Sequence, residues 1–168
     1  MGHRALVAYE QADGTFDLHY SQWGALGFRL AYTLAETDPF GPDETVEPTP
    51  RATGLSFDVI LTDYLDFLLH EAFYVVSPGF DVTAYVPVWF GLETDDEVVG
   101  NGALVPVIWR NGTPVDVEYL EGWVDGAKTS LRAHHEQCAL TPAAIQEFFA
   151  ETLPEWFGND VILASEVR

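Results

Sequence analysis

The N-terminal stretch Arg4-Ala-Leu-Val-Ala-Tyr-Glu10 is followed, after Asp13-Gly14, by the second strand-like run Phe16-Asp-Leu-His-Tyr-Ser21. An Asp-Gly pair between two alternating runs is one of the strongest local signals of a hairpin with a two-residue turn. The sequence therefore predicts an antiparallel hairpin at the N-terminus. With a two-residue loop, Val7 lies opposite Tyr20 on an apolar face.

The opposite face of this predicted hairpin carries the first set of candidate functional residues: His3, Arg4, His19 and Ser21. An imidazole, a hydroxyl and a guanidinium on one face suit a small polar pocket, and they are candidate catalytic residues of a small hydrolase-like enzyme. The alternative is structural. A sheet face covered by a helix also holds a hydrogen-bonded histidine and an arginine stacked on Trp23.

Further along the chain, patterns of both periods occur. Asn111-Gly112 predicts a central hairpin with strands at 103–109 and 113–120, and apolar residues at helical spacing predict a helix from Leu55 to about His70. Thr141-Pro142 is an N-cap followed by proline at the first helical position. Two hairpins with helices segregated to the middle and the C-terminal third predict an α+β fold with a mainly antiparallel sheet.

One segment has a different composition. Residues 37–54 combine four prolines with acidic side chains, which excludes a helix or a central strand. We expect a long solvated loop inside a single domain of residues 1–168, because the chain before the loop is too short to fold alone.

The charge balance is extreme: 27 acidic residues stand against 7 Lys and Arg, a net charge of −20, and Lys128 is the only lysine. At 48% hydrophobic and 14% aromatic residues, the chain is too apolar for an acidic disordered protein. Self-repulsion of this size favours a halophilic protein whose surface is screened by molar K⁺, where the Debye length is about 3 Å. The same field argues against nucleic-acid and membrane partners.

The remaining general features are few. A single cysteine, Cys138, and the lack of a signal sequence at Met1–Glu10 predict a cytoplasmic protein. The partner is predicted only as an unknown protein or small molecule, and a homo-oligomer stays open.

No cofactor is predicted, but zinc is kept as an alternative at His134 and Cys138, which lie four residues apart, with His70 as a further imidazole. The simpler interpretation is that His134 and Cys138 continue an apolar helix stripe as a core histidine and a buried thiol. His70 also lies at helical spacing from Asp63 and Asp66, as in a carboxylate–histidine pair. A solvated acidic face explains that group equally well.

The opening Met1-Gly-His-Arg-Ala-Leu-Val-Ala-Tyr-Glu10, with Leu18-His-Tyr-Ser-Gln-Trp-Gly24, resembles an uncharacterised family of small haloarchaeal proteins of unknown function. The resemblance implies a source in a halophilic archaeon and implies no activity.

Motifs of the common enzyme classes are absent from the sequence, including a P-loop, Gly-x-Ser-x-Gly and His-Glu-x-x-His. We therefore expect a non-catalytic binding or interaction module. The alternative is the hydrolase-like enzyme on the N-terminal hairpin.

Overall fold

The computed structural model describes residues 2–138 and 140–166, and within these ranges the chain forms nine β-strands and four α-helices. The strands are β1 (Ala5–Glu10), β2 (Phe16–Ser21), β3 (Ala52–Leu55), β4 (Ala72–Val76), β5 (Val82–Trp89), β6 (Gly102–Pro106), β7 (Ile108–Arg110), β8 (Thr113–Val115) and β9 (Ile162–Leu163). The helices are α1 (Leu30–Thr33), α2 (Phe57–Val59), α3 (Val117–Cys138) and α4 (Pro142–Phe157). A π-helical turn follows α2 at Ile60–Tyr64, and 3₁₀ turns lie at Leu26–Phe28, Pro42–Glu44 and Ala164–Glu166. None of the helices in these two ranges is long and apolar enough to cross a bilayer.

Seven strands form one sheet in the order β3-β2-β1-β4-β5-β6-β9. β1 and β4 are parallel, whereas the other neighbouring pairs are antiparallel. The long helices α3 and α4 lie in the C-terminal third. The predicted α+β class with a mainly antiparallel sheet is confirmed.

Both faces of the sheet are covered, so β1 and β4 are apolar at nearly every position. On one face, Val7 belongs to a buried cluster with Leu120 of α3 and Phe149 of α4. On the other face, Leu6 belongs to a second cluster with Leu61 of the π-helical turn. The helical third of the chain and the 55–67 region therefore enclose the sheet from opposite sides.

The N-terminal hairpin forms, but its register differs by one residue from the prediction. Val7 lies opposite His19 and not opposite Tyr20. The loop is longer than Asp13-Gly14, since the N–H of Gln11 donates to the carbonyl of Thr15 at 2.8 Å. Side chains alternate between the faces of a strand, so a slip of one residue moves the whole second strand to the other face. This correction determines where the candidate residues lie.

The predicted helix over 55–70 is wrong in its second half. The helical backbone ends at Tyr64, and the chain turns instead. The carboxylate of Asp66 accepts hydrogen bonds from the backbone N–H groups of Leu68 and Leu69, at 2.9 and 2.8 Å. An aspartate that binds nearby backbone donors competes with helix formation, and here it wins.

The central hairpin has the predicted turn, but its strands are shorter than predicted. Ile108 pairs with Val115 around a two-residue loop, and both Asn111 and Gly112 have positive φ, as a type I′ turn requires. β7 and β8 form a separate two-stranded sheet. The predicted strand over 113–120 ends early because α3 begins at Val117.

The 37–54 segment is packed against the N-terminal hairpin instead of being solvated throughout. Val46 is fully buried, and the hydroxyl of Tyr9 donates to the carbonyl of Pro39 at 2.5 Å. The segment ends in β3, which pairs with β2 at the edge of the sheet.

Candidate functional site

Two of the candidate catalytic residues, His19 and Ser21, hold the 37–54 segment against β2. The Nδ1 atom of His19 is 2.8 Å from the backbone oxygen of Glu47, and the hydroxyl of Ser21 donates to the carbonyl of Thr45 at 2.6 Å. Both side chains are buried. Each side chain is bound to a carbonyl of this segment, which gives both of them a structural role, and the hydrolase-like interpretation gains no support.

The other two candidates lie elsewhere. The Nδ1 atom of His3 is 2.8 Å from a carboxylate oxygen of Glu71, and both side chains are about half exposed. The register places Arg4 on the sheet face opposite to His19. The prediction that His3, Arg4, His19 and Ser21 share one face is therefore wrong.

The candidate metal ligands do not form a metal site among the residues that the structure describes. His134 and Cys138 are both exposed near the end of α3, so neither is the core residue that the helix stripe predicts. His70, by contrast, is buried. Among residues 2–138 and 140–166, no three His, Cys, Asp or Glu side chains are arranged to hold a metal ion.

A groove of about 540 Å³ lies on the even-numbered face of the N-terminal hairpin, and we call it the arginine groove. Leu6 pairs with Tyr20 across the two strands, and Arg4 and Gln22 follow at the ends. The guanidinium of Arg51 lies 4.7 Å from the centre of the Tyr20 ring. The lining residues are Arg4, Leu6, Leu18, Tyr20, Gln22, Arg51, Tyr64, Leu69 and His70.

The two arginines of this groove are held differently. Arg51 forms an ion pair of 2.9 Å with Glu47. The side chain of Arg4 has neither a hydrogen bond nor an ion pair to any residue that the structure describes. Arg29 and Arg110 likewise form no ion pair with a described residue, so Arg4 is distinguished by its place in a groove that a second guanidinium also lines.

A second cavity, of about 360 Å³, lies between α3 and the end of β5, and we call it the lysine cavity. The ammonium of Lys128 lies 4.5 Å from the centre of the Trp89 ring. His70 lines both cavities, so they are neighbours. The lining residues are Phe67, Leu68, His70, Glu71, Val86, Pro87, Val88, Trp89, Leu120, Glu121, Val124, Asp125 and Lys128.

Burial changes the titration of the groups around these cavities. Burial lowers the pKa of Lys128 to about 8, and the positive charge of Arg132 acts in the same direction. Burial raises the pKa of Glu121, and neighbouring carboxylates raise it further. Burial lowers the pKa of His70, against the opposing hydrogen bond to the backbone of Asp66. Titratable groups with shifted pKa values in a cavity are typical of functional sites.

A family model described as a family of unknown function, DUF6735, matches the chain over residues 1–45 and 42–164. The chain belongs to this family. No curated protein and no solved structure matches it significantly.

Both cavities of this DUF6735 protein are built from the matched segments. Arg4 lies in the first segment, and Arg51, His70 and Lys128 lie in the second.

Sequence reasoning missed Arg51 and Lys128, although a signal for both was present in the composition of the DUF6735 chain. Three of its seven Lys and Arg residues, namely Arg4, Arg51 and Lys128, line the two neighbouring cavities. The scarcity of cations in so acidic a chain therefore makes these two cavities the ones to consider first.

Proposed function

We propose that this protein is a non-catalytic binding protein that holds a small anionic ligand in the arginine groove. The observation that carries the proposal is the presence of two guanidinium groups, those of Arg4 and Arg51, in the lining of one groove. Two guanidinium groups in one groove give it a local positive charge, although the net charge of the protein is −20.

The lining indicates the chemistry of the ligand. Guanidinium groups bind carboxylates and phosphates through paired N–H donors. Leu6, Leu18 and Leu69 add apolar surface, and the rings of Tyr20 and Tyr64 add aromatic surface. We infer a ligand with one carboxylate or phosphate group attached to a small apolar or aromatic body.

The same lining favours binding over catalysis. Among the described residues of the groove there is no serine, threonine, cysteine, aspartate or glutamate, so no side chain is available as an ordinary nucleophile or carboxylate base. The one imidazole, that of His70, has its Nδ1 atom 3.0 Å from the backbone oxygen of Asp66. Recognition through charge and stacking is the function that remains.

Isothermal titration calorimetry in molar KCl tests the proposal with three probes: benzoate, phenyl phosphate and inorganic phosphate. We expect the two aromatic anions to bind more tightly than inorganic phosphate, because only they fill the apolar part of the groove. Arg4→Gln abolishes this binding. Arg110→Gln is the matched control, since Arg110 is exposed on β7 and does not line the groove.

Two results would contradict the proposal. One is that neither aromatic anion binds the wild-type protein. The other is that Arg4→Gln and Arg110→Gln bind equally well while both retain the wild-type circular dichroism spectrum.

A further inference from the structure

The lysine cavity contains a buried amine that the proposed anion-binding function does not use. Lys128 is the only lysine of the chain, and about 9% of its surface is exposed. No ion pair to it is formed within residues 2–138 and 140–166, although Asp125 and Glu121 line the same cavity. Its ammonium rests on the Trp89 ring instead.

We propose that the lysine cavity is a second ligand site, in which the amine of Lys128 forms an imine with a small, uncharged, apolar aldehyde or ketone. The cavity has room for a compound of this kind at about 360 Å³. This site is distinct from the arginine groove, because Arg4 and Arg51 do not line it, although His70 lines both.

Burial prepares the amine for this reaction. Only the uncharged amine attacks a carbonyl carbon, and burial lowers the pKa of Lys128 to about 8. Near that pH about half of the Lys128 side chains are uncharged, against well under about 1% for an ordinary lysine.

The walls of the cavity select the ligand. Phe67, Val86, Val88, Leu120 and Val124 give it apolar surface. The acidic residues at the same cavity, Glu71, Glu121 and Asp125, repel anions. A keto acid is therefore a poor ligand, whereas a neutral aldehyde of similar size is a good one.

The reaction balances with groups that are present. The lone pair of the Lys128 Nζ atom forms a bond to the carbonyl carbon, and the carbonyl oxygen becomes the hydroxyl of a carbinolamine. In this first step the oxygen gains one proton and the nitrogen loses one, both by exchange with solvent. The hydroxyl then takes a second proton and leaves as water as the carbon–nitrogen double bond forms, and the nitrogen releases its second proton to solvent. Glu121 lines the cavity and is exposed, so its carboxylate can relay to the hydroxyl the proton that comes from solvent. Aldehyde and amine give imine and water, with no oxidant or reductant.

Reductive trapping with an internal reference tests this proposal. Arg110→Lys adds one exposed lysine at a position that does not line the cavity. The variant is treated with benzaldehyde and sodium cyanoborohydride near pH 8, and peptide mapping by mass spectrometry measures benzyl addition at each lysine. We expect position 128 to be modified at least about tenfold faster than position 110, because its larger uncharged fraction outweighs its lower nucleophilicity. With pyruvate we expect this preference to disappear.

Two further variants separate the site from a merely structural lysine. Val124→Trp fills the cavity without changing Lys128 and slows labelling at 128 but not at 110. Arg4→Gln leaves labelling at 128 unchanged, so a failure of the anion-binding proposal does not affect this test. Equal or slower labelling at 128 than at 110 overturns the imine proposal, and so does labelling at 128 that Val124→Trp does not slow.

Discussion

The Nζ atom of Lys128 lies 4.5 Å from the centre of the Trp89 ring, and both side chains are buried. The indole nitrogen of Trp89 donates to the backbone oxygen of Glu97 at 2.8 Å, which holds the ring in place. A desolvated cation over an indole gains about 2 kcal/mol. The lowered pKa of Lys128 indicates that this gain does not fully replace the lost hydration of the ammonium.

The incomplete replacement of the hydration of the Lys128 ammonium predicts an unusual pH dependence of stability. The folded protein releases the Lys128 proton near pH 8, and the unfolded chain keeps it until about 10.5. Between these values the unfolded state binds more protons, so the free energy of unfolding rises with pH, by about 3 kcal/mol in total from this group. Below pH 8 the full penalty of the buried charge remains.

Urea unfolding of the wild type and of Lys128→Met, in molar KCl across this range, measures the effect. Tyrosine ionisation is common to both proteins and cancels in the difference. Other charged groups near Lys128 stay in place as well: Asp96, Asp125, Arg132, Glu121, Glu71 and His70. A difference in unfolding free energy that is constant from pH 8 to 10.5 would show that Lys128 titrates normally.

A second prediction concerns the histidine that holds the 37–54 segment. His19→Phe keeps the aromatic contacts with Tyr9 and Phe40 but leaves the backbone oxygen of Glu47 without its imidazole partner. We expect a loss of about 1–3 kcal/mol in unfolding free energy. Faster trypsin cleavage after Arg51 should accompany it, because the segment is then held less firmly.

The control for this substitution is His134→Phe. His134 is exposed on α3, and the change there should stay within about 0.5 kcal/mol. If the two variants unfold at the same urea concentration, His19 does not hold the segment.

A third prediction compares two glycines. A Cβ atom at Gly102 would lie 2.5 Å from the ring of Phe67 and from the backbone oxygen of Val88. Gly102→Ala therefore costs about 1–3 kcal/mol by overpacking. A Cβ atom at Gly126, inside α3, meets nothing within 4 Å, so Gly126→Ala stabilises the protein by about 0.5–1 kcal/mol. Urea unfolding gives both values, and shifts of the same sign would contradict the described packing.

The sequence predicted local features well and their alignment poorly. The turn at Asn111-Gly112 and the N-cap at Thr141 follow from nearest neighbours in the chain, and both are present. The register of the first hairpin depends on the hydrogen bond from the backbone N–H of Gln11 to the carbonyl of Thr15. The Asp13-Gly14 pair does not predict this hydrogen bond. One residue of slip was enough to separate Arg4 from His19.

The candidate site could not be predicted from the sequence for a related reason. Arg4 and Arg51 line the same groove because the strands that follow them, β1 and β3, lie on either side of β2 in the sheet. Lys128 reaches Trp89 because α3 packs beside the end of β5. Such contacts depend on strand order and helix placement, which no local pattern encodes. Only the composition indicated the residues involved, because the chain contains few cations.

The final prediction returns to that composition. Within residues 2–138 and 140–166 the only ion pair between a Lys or Arg and a carboxylate is Arg51–Glu47, and it is exposed. Most of the 27 acidic side chains therefore repel one another without compensation. We expect the free energy of unfolding to rise from roughly 0.1 M to molar KCl, as the Debye length falls from about 10 to about 3 Å.

A variant of α4 separates screening from general effects of salt. Glu147, Glu151 and Glu155 are exposed and follow one another at intervals of four residues, where like charges destabilise a helix by about 0.2–0.5 kcal/mol per pair. Replacing all three by Gln should raise stability at low salt and flatten the dependence on KCl. In molar KCl the variant and the wild type should unfold at the same urea concentration. A gain that persists in molar KCl would mean that glutamine improves the helix for reasons other than charge, and a wild type equally stable at both salt concentrations would contradict the halophilic interpretation itself.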